Sequence, residues 1–158
     1  MRVDILGVGF DNVTMDQAVA EGLRLMSAEG AHYVATPNPE IVEVCREDPE
    51  ARAAVNGADL VIADGVGVIY GAKLLGTPLK ERLPGIEFAK RLMAEMAKNG
   101  KKLYLLGAKP GVAEEAARRL RTQYPGLVIA GTHDGYFQED GPVPEAIRGS
   151  GADVVLSL

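Results

Sequence analysis

The chain has 158 residues, the size of one domain able to bury a core of its own. Its 47% apolar and 25% charged residues are ordinary for a soluble globular protein, and a net charge of -5 argues against nucleic acid as a partner. The single cysteine, Cys45, excludes a disulfide framework and a cysteine-based zinc site. No apolar run nears the roughly 20 residues that span a bilayer, and Met1-Arg2-Val3-Asp4 does not open a signal peptide, so a cytosolic protein is expected.

Residues 3–6 read as a short strand. Thr14 and Gln17 have the spacing of a capping box, and the helix behind them is expected to bury Ala18, Val19, Leu23 and Met26. A second strand is expected over 31–35. Asn38-Pro39 and then Asp48-Pro49 each carry the cap-then-proline signature of a helix start, with Gly57 closing the second helix. Residues 60–63 are wholly apolar, as in a strand buried on both faces, and Asp64-Gly65 leads into a helix ending near Gly76. An amphipathic helix is expected over 84–99, a strand over 102–106, and a helix with Pro110 near its first position. The last strands fall at 127–130 and 153–158, joined through residues 142–148.

Strands alternating with helices predict an α/β protein with a Rossmann-like, doubly wound, mainly parallel sheet and helices on both faces, in one domain spanning 1–158. In such sheets the ligand sits beyond the carboxyl ends of the strands. Four of those ends carry residues capable of chemistry: Thr36 and Asn38; Asp64; the glycine-rich turn from Gly107 to Gly111; and His133 with Asp134, Gly135 and Tyr136. Each also has a plain structural reading. Thr36 and Asn38 serve a turn and a helix cap, Asp64 caps the next helix, and the glycines serve turns.

Several common motifs fail. Gly7-Val8-Gly9 follows the first strand, but Asn12 stands where a dinucleotide fingerprint has glycine; Asp64-Gly65-Val66-Gly67 lacks its third glycine in register. There is no Walker sequence, no nucleophile elbow and no Asp-x-Asp pair, and two histidines are too few for a histidine metal cluster. His32 is expected inside a strand with a structural role, and Cys45 on an apolar helix face beside Val42. Arg118, Arg119 and Arg121 follow Glu114 and Glu115 at the spacing of a solvated helix face.

The stretches "TPNPEIV", "LVIADGVGVIYGAKLLG", "ERLPGIEF", "LYLLGAKPGV" and "GTHDGYF" occur in an order and spacing that resembles the WecG/TagA/CpsF-type glycosyltransferases, glycosyltransferase family 26. The resemblance runs from about Val3 to the last residue. It implies transfer of a sugar from a UDP-sugar to an undecaprenyl-diphosphate-linked sugar at the inner face of the cytoplasmic membrane. The best-known members move N-acetylmannosamine from UDP-ManNAc to GlcNAc-diphospho-undecaprenol for the linkage unit of wall teichoic acid; others use UDP-ManNAcA or UDP-glucose. Members invert the anomeric centre and need no Asp-x-Asp metal site, so no cofactor is expected.

Carried over residue by residue, the family's aspartate after the third strand falls on Asp64, the expected catalytic base, next to Gly65. Its Thr-Pro-Asn motif falls on Thr36 and Asn38, and its arginine before Pro-Gly on Arg82. An inverting transfer needs a carboxylate to take the acceptor's proton and cationic or N–H partners for the departing diphosphate. Arg82 and the helix start at Gly107 are expected to supply those partners, with Asp134, Gly135 and Tyr136 also on the nucleotide side.

Two departures accompany the resemblance. Glu87 stands where the family usually has aspartate, and the chain stops at Leu158, before the family's Gly-x-Pro-Lys-Gln-Glu-like motif and basic C-terminal segment. On that ground a chain of this extent is expected to turn over poorly and to stay in solution when mixed with anionic vesicles. The rival readings are a nucleotide- or sugar-phosphate-binding module without turnover, and an NAD-type oxidoreductase disfavoured by the failed fingerprint. The sugar and the acceptor are left open, as is homo-oligomerisation.

Overall fold

The computed structural model describes residues 1–138 and 141–158 and shows an α/β protein. The chain divides into two compact units, Met1–Leu92 and Met93–Leu158.

The first unit opens with a hairpin that the sequence reading did not anticipate. β1 (Arg2–Ile5) pairs antiparallel with β2 (Val8–Asp11), with Ile5 opposite Val8. Only Leu6 and Gly7 separate them, at φ of 54° and 90°, the two positive values that a tight turn matched to strand twist requires. Gly7 therefore serves a hairpin, which removes the Gly7-Val8-Gly9 stretch from consideration as a phosphate-binding turn. The hairpin is tied to the rest of the unit by polar side chains. Arg2 Nε donates to Asp11 Oδ2 at 3.2 Å, its guanidinium also reaches the Asn56 and Ala58 carbonyls, and Asp11 Oδ2 accepts the Val61 N–H at 2.8 Å.

α1 (Met15–Ser27) begins with the expected capping box, Thr14 accepting from the Gln17 N–H and Gln17 accepting from the Thr14 N–H. Its buried line is Met15, Ala18, Gly22 and Leu25, so of the four expected core residues only Ala18 is fully enclosed. The helix is rotated because Gly22 lets the Phe88 ring approach: a methyl group there would lie 3.2 Å from Phe88 Cζ. α2 (Pro39–Glu47) and α3 (Pro49–Asn56) start at Asn38 and Asp48 as read, each side chain accepting backbone N–H groups of the first turn. Cys45 is buried beside Val42, and burial pushes its thiol above the usual range. β3 (Val34–Ala35) runs parallel to β4 (Leu60–Val61), and Leu60, Val61, Ile62 and Ala63 are all buried. α4 (Val66–Leu74) and the start of α5 (Gly85–Lys98) follow.

His32 lies ahead of β3 in irregular chain, not within the strand. Its Nδ1 is 2.9 Å from Asp59 Oδ1 and its Nε2 is 3.0 Å from the Glu29 carbonyl. Both partners are acceptors, so the ring satisfies both only when doubly protonated. The bond to Asp59, then that to Glu29, raises the imidazole pKa above its ordinary value of about 6.5. The same contact with His32, then the Tyr33 N–H, lowers the Asp59 carboxyl. The raised histidine contributes fully below its unfolded pKa and is lost as pH rises through its folded value. The lowered aspartate contributes above its unfolded pKa and is lost as pH falls through its folded value. The pair is thus strongest between about pH 4 and 6.5. An NMR titration should give His32 a higher pKa in the native protein than in Asp59→Asn; equal values would contradict the pairing.

In the second unit β5 (Lys102–Leu106) is the centre of a parallel three-stranded sheet, between β6 (Val128–His133) and β7 (Val154–Ser157). β6 is longer than the expected 127–130 because Leu105 and Leu106 pair with Thr132 and His133. α6 (Val112–Gln123) starts after Gly111 in a left-handed conformation, so Pro110 precedes the helix and is not at its first position. Arg118 and Arg119 both bond Glu115, holding its carboxyl down at about 2, which bears out the solvated face read for this cluster. α7 (Pro142–Ser150) occupies the connection to β7. Leu103, Leu105, Ala113, Ala117 and Val143 are buried in this unit.

Candidate active site

The carboxyl ends of β3 and β4 stay side by side beyond the strands. Ile62 N–H donates to the Ala35 carbonyl at 2.9 Å, and Asp64 N–H to the Pro37 carbonyl at 3.3 Å. Pro37 is fully buried, and its ring pins the corner; Pro39 is the first residue of α2 and packs on Gly65, whose added Cβ would lie 3.2 Å from Pro39 Cδ. The two prolines thus hold Thr36 and Asn38 beside Asp64 and Gly65.

A third segment closes on the same edge. Leu83 N–H donates to the Ala63 carbonyl at 2.9 Å, setting residues 82–84 along the approach to Asp64. α5 then begins at Gly85, whose N–H donates to Asp64 Oδ2 at 3.1 Å. Asp64 does not cap α4, whose cap residue is Gly65 with no side-chain bond. Its carboxylate sits instead at the amino end of α5, where a negative charge is favoured. A methyl group at Gly85 would lie 3.2 Å from Thr36 Oγ1 and 3.3 Å from Asp64 Oδ2, so Thr36, Asp64 and Gly85 meet at one point.

The remaining capacity of these groups defines what the edge can do. Asn38 Oδ1 is spent on the Ile41 N–H at 2.9 Å, leaving its amide N–H groups to donate. Asp64 Oδ1 has no protein donor among the described residues, so one carboxylate oxygen is fixed and the other is open to a substrate hydroxyl. Arg82 is exposed and makes no ion pair among the described residues. The Asp64 carboxylate, held at one oxygen, and the Thr36 hydroxyl therefore meet at this edge, with Asn38 and Pro39 against Gly65. Gly85 was missed as part of this cluster; the signal was the Pro84-Gly85 pair at a helix start, where glycine admits close neighbours.

The other expected residues lie at strand ends of the second unit. Gly107 N–H donates to the His133 carbonyl at 2.9 Å and Gly135 N–H to the Ala108 carbonyl at 2.8 Å, joining the turns after β5 and β6. Asp134 Oδ1 accepts the Tyr136 N–H at 2.8 Å, and the His133 ring meets Phe137 edge-on with centroids 6.0 Å apart. Tyr136 is exposed. Among the described residues no group of three or more acidic, histidine or cysteine side chains is placed to hold a metal ion.

Residues 3–157 match the model of the glycosyl transferase WecG/TagA/CpsF family. The chain is 36% identical over 150 residues to an N-acetylglucosaminyldiphosphoundecaprenol N-acetyl-beta-D-mannosaminyltransferase of Staphylococcus aureus, covering 93% of this chain and 59% of that relative. It is 32% identical over 124 residues to the enzyme of the same name from Bacillus spizizenii, covering 78% of this chain and 48% of that one. This protein belongs to the WecG/TagA/CpsF family of glycosyl transferases. It spans between about half and three-fifths of the length of these curated relatives.

Proposed function

We propose that this chain carries the catalytic carboxylate of an inverting glycosyltransferase that moves N-acetylmannosamine from UDP-ManNAc to GlcNAc-diphospho-undecaprenol, at the inner face of the plasma membrane. The observation that carries the reading is the Asp64 carboxylate, held through one oxygen by the Gly85 N–H and open at the other, beside Thr36 and Asn38. Asp64 takes the proton of the acceptor hydroxyl as that oxygen bonds to the anomeric carbon of the donor. The bond from that carbon to the diphosphate breaks on the opposite face, and UDP leaves with the electron pair. Arg82 offsets the charge that grows on the departing group. Thr36 and the Asn38 amide position sugar hydroxyls. For the second unit by itself, Gly107, Asp134, Gly135 and Tyr136 are proposed as nucleotide-binding residues. A Rossmann-like, doubly wound fold is proposed on the parallel pairing found within each unit by itself, β3 with β4 and β5 with β6 and β7.

Titration calorimetry with UDP-ManNAc and with NADH tests the class. Binding of the UDP-sugar and not of NADH is expected, and the reverse result would favour the oxidoreductase. The crowding at Gly85 gives a second check. Gly85→Ala must push Thr36 Oγ1 and Asp64 Oδ2 away by a few tenths of an ångström. It should lower kcat on the order of tenfold with little change in melting temperature, since small misplacements of reacting groups are costly. Wild-type turnover by this variant would separate Gly85 from the site.

A further inference from the structure

Residues 77–84, which carry Arg82 and lead to α5, have no helix or strand of their own. Pro78 lacks an N–H, and among the described residues the N–H groups of 79–82 make no main-chain bond. Side chains hold the stretch instead. Asn12 Oδ1 accepts the Lys80 N–H at 2.8 Å, and Glu81 Oε1 accepts the Met15 N–H at 3.2 Å. The two bonds run in opposite directions between the same two segments, which lie 68 and 66 residues apart along the chain. Their other ends are firmly seated. Asn12 follows Asp11, whose carboxylate takes Arg2 and the Val61 N–H, and the Val13 N–H returns to the Asp11 carbonyl at 3.0 Å. Met15 is the first residue of α1, so its N–H has no partner within the helix, and Glu81 brings a negative charge to that end, where it is favoured.

The stretch runs alongside β4. Lys80 borders the same cleft as Asp59 and Leu60 at the start of that strand, and Leu83, 1% exposed, bonds the Ala63 carbonyl beyond its end. Arg82 is the exposed residue between these two anchors. The bond from Asn12 is itself exposed, and such a bond adds little to stability. What it fixes is the place of Lys80. Asn12 stands where a dinucleotide fingerprint needs glycine, and its side chain has a partner in the Arg82 segment instead. We propose that Asn12 is a positioning residue for Arg82: by holding Lys80 it sets the main chain from which the guanidinium reaches the departing diphosphate, with Glu81 as the reciprocal tie. The tie is a property of the free protein. Its effect on turnover rests on the transferase reading, in which Arg82 offsets the charge on the leaving group.

Two arms of one experiment separate the tie from the chemistry. In the full chain without substrates, the Lys80 amide, followed by NMR hydrogen exchange, should exchange at least about tenfold faster in Asn12→Ala than in the native protein. Asn12→Asp keeps an oxygen for the Lys80 N–H and should restore slow exchange. Asp16→Asn breaks the pair with Arg91 in the same turn of α1 but touches neither bond, and should leave the Lys80 rate unchanged. In the second arm, with UDP-ManNAc and a soluble acceptor analogue, Asn12→Ala should lower kcat on the order of tenfold, with KM and melting temperature little changed. Arg82→Ala should lower kcat about 10²-fold or more. Asn12→Ala combined with Arg82→Ala should fall within about twofold of Arg82→Ala alone, because Asn12 acts through Arg82. Unchanged exchange in Asn12→Ala would overturn the tie, and losses that multiply in the double variant would overturn its route through Arg82. A native chain without turnover counts against the transferase reading and the role of Arg82 with it, whereas the exchange arm still decides the tie.

Discussion

Replacing Asp64 by asparagine is expected to lower kcat at least about 10²-fold, the lower end of what a general base contributes, with donor binding retained. The substitution is a clean one in this setting. Asparagine keeps a side-chain oxygen to accept the Gly85 N–H, now made at 3.1 Å, so the start of α5 and the approach of Thr36 are preserved. What is lost is the ability of the second oxygen to take a proton from the acceptor hydroxyl. The expected pattern is therefore unchanged melting, an unchanged dissociation constant for UDP-ManNAc and a collapse in turnover. Near-normal turnover would reduce Asp64 to an anchor for the amino end of α5.

Phe10→Ala is expected to cost about 3–5 kcal/mol of stability, in the range for truncating a fully buried aromatic side chain. Phe10 is completely buried on β2 in one core cluster with Val3, Ile5, Val8, Val42, Val61 and Ala63. Val61 and Ala63 lie on the segment that leads to Asp64, and Asp11, the next residue after Phe10, accepts the Val61 N–H. The hairpin therefore supports the strand that positions the carboxylate. A fall in melting temperature of roughly 10 °C or more is expected in a thermal scan. A shift of a degree or less would show that the hairpin is peripheral to the fold.

How much of this was legible varies with the physics of each element. Local signals were read correctly where the chain supplies its own partner: Thr14 with Gln17, Asn38 before Pro39, and Asp48 before Pro49 each cap the helix they announce. Elements set by tertiary contact were not. Nothing in residues 6 and 7 alone distinguishes a two-residue hairpin from a strand-to-helix turn, and the positive φ at Leu6 is one that a branched side chain seldom adopts. The rotation of α1 depends on Phe88 reaching Gly22 from far along the chain, which no periodicity within the helix reveals. Pro110 has the preference for a first helical position, but the left-handed turn at Gly111 delays the helix by two residues.

At the site, Thr36, Asn38 and Asp64 are legible in the sequence because strand ends carry them, and the parallel pairing of β3 and β4 brings those two ends together. The contact of Asp64 with the start of α5 was not readable, since it needs the chain between Gly76 and Leu83 to return to the same edge. The exposed side of α4 is equally hidden: a run of apolar residues after a buried strand reads as core, whereas Tyr70 and Leu74 face outward in the folded chain.

The most direct test of the central claim is product analysis by mass spectrometry after incubating the purified full-length protein with UDP-ManNAc and a soluble analogue of GlcNAc-diphospho-undecaprenol. The account predicts a lipid-linked disaccharide of inverted anomeric configuration, with UDP released in step with product and only when the acceptor is present. UDP-sugar binding with no disaccharide formed, or UDP release that ignores the acceptor, would contradict it.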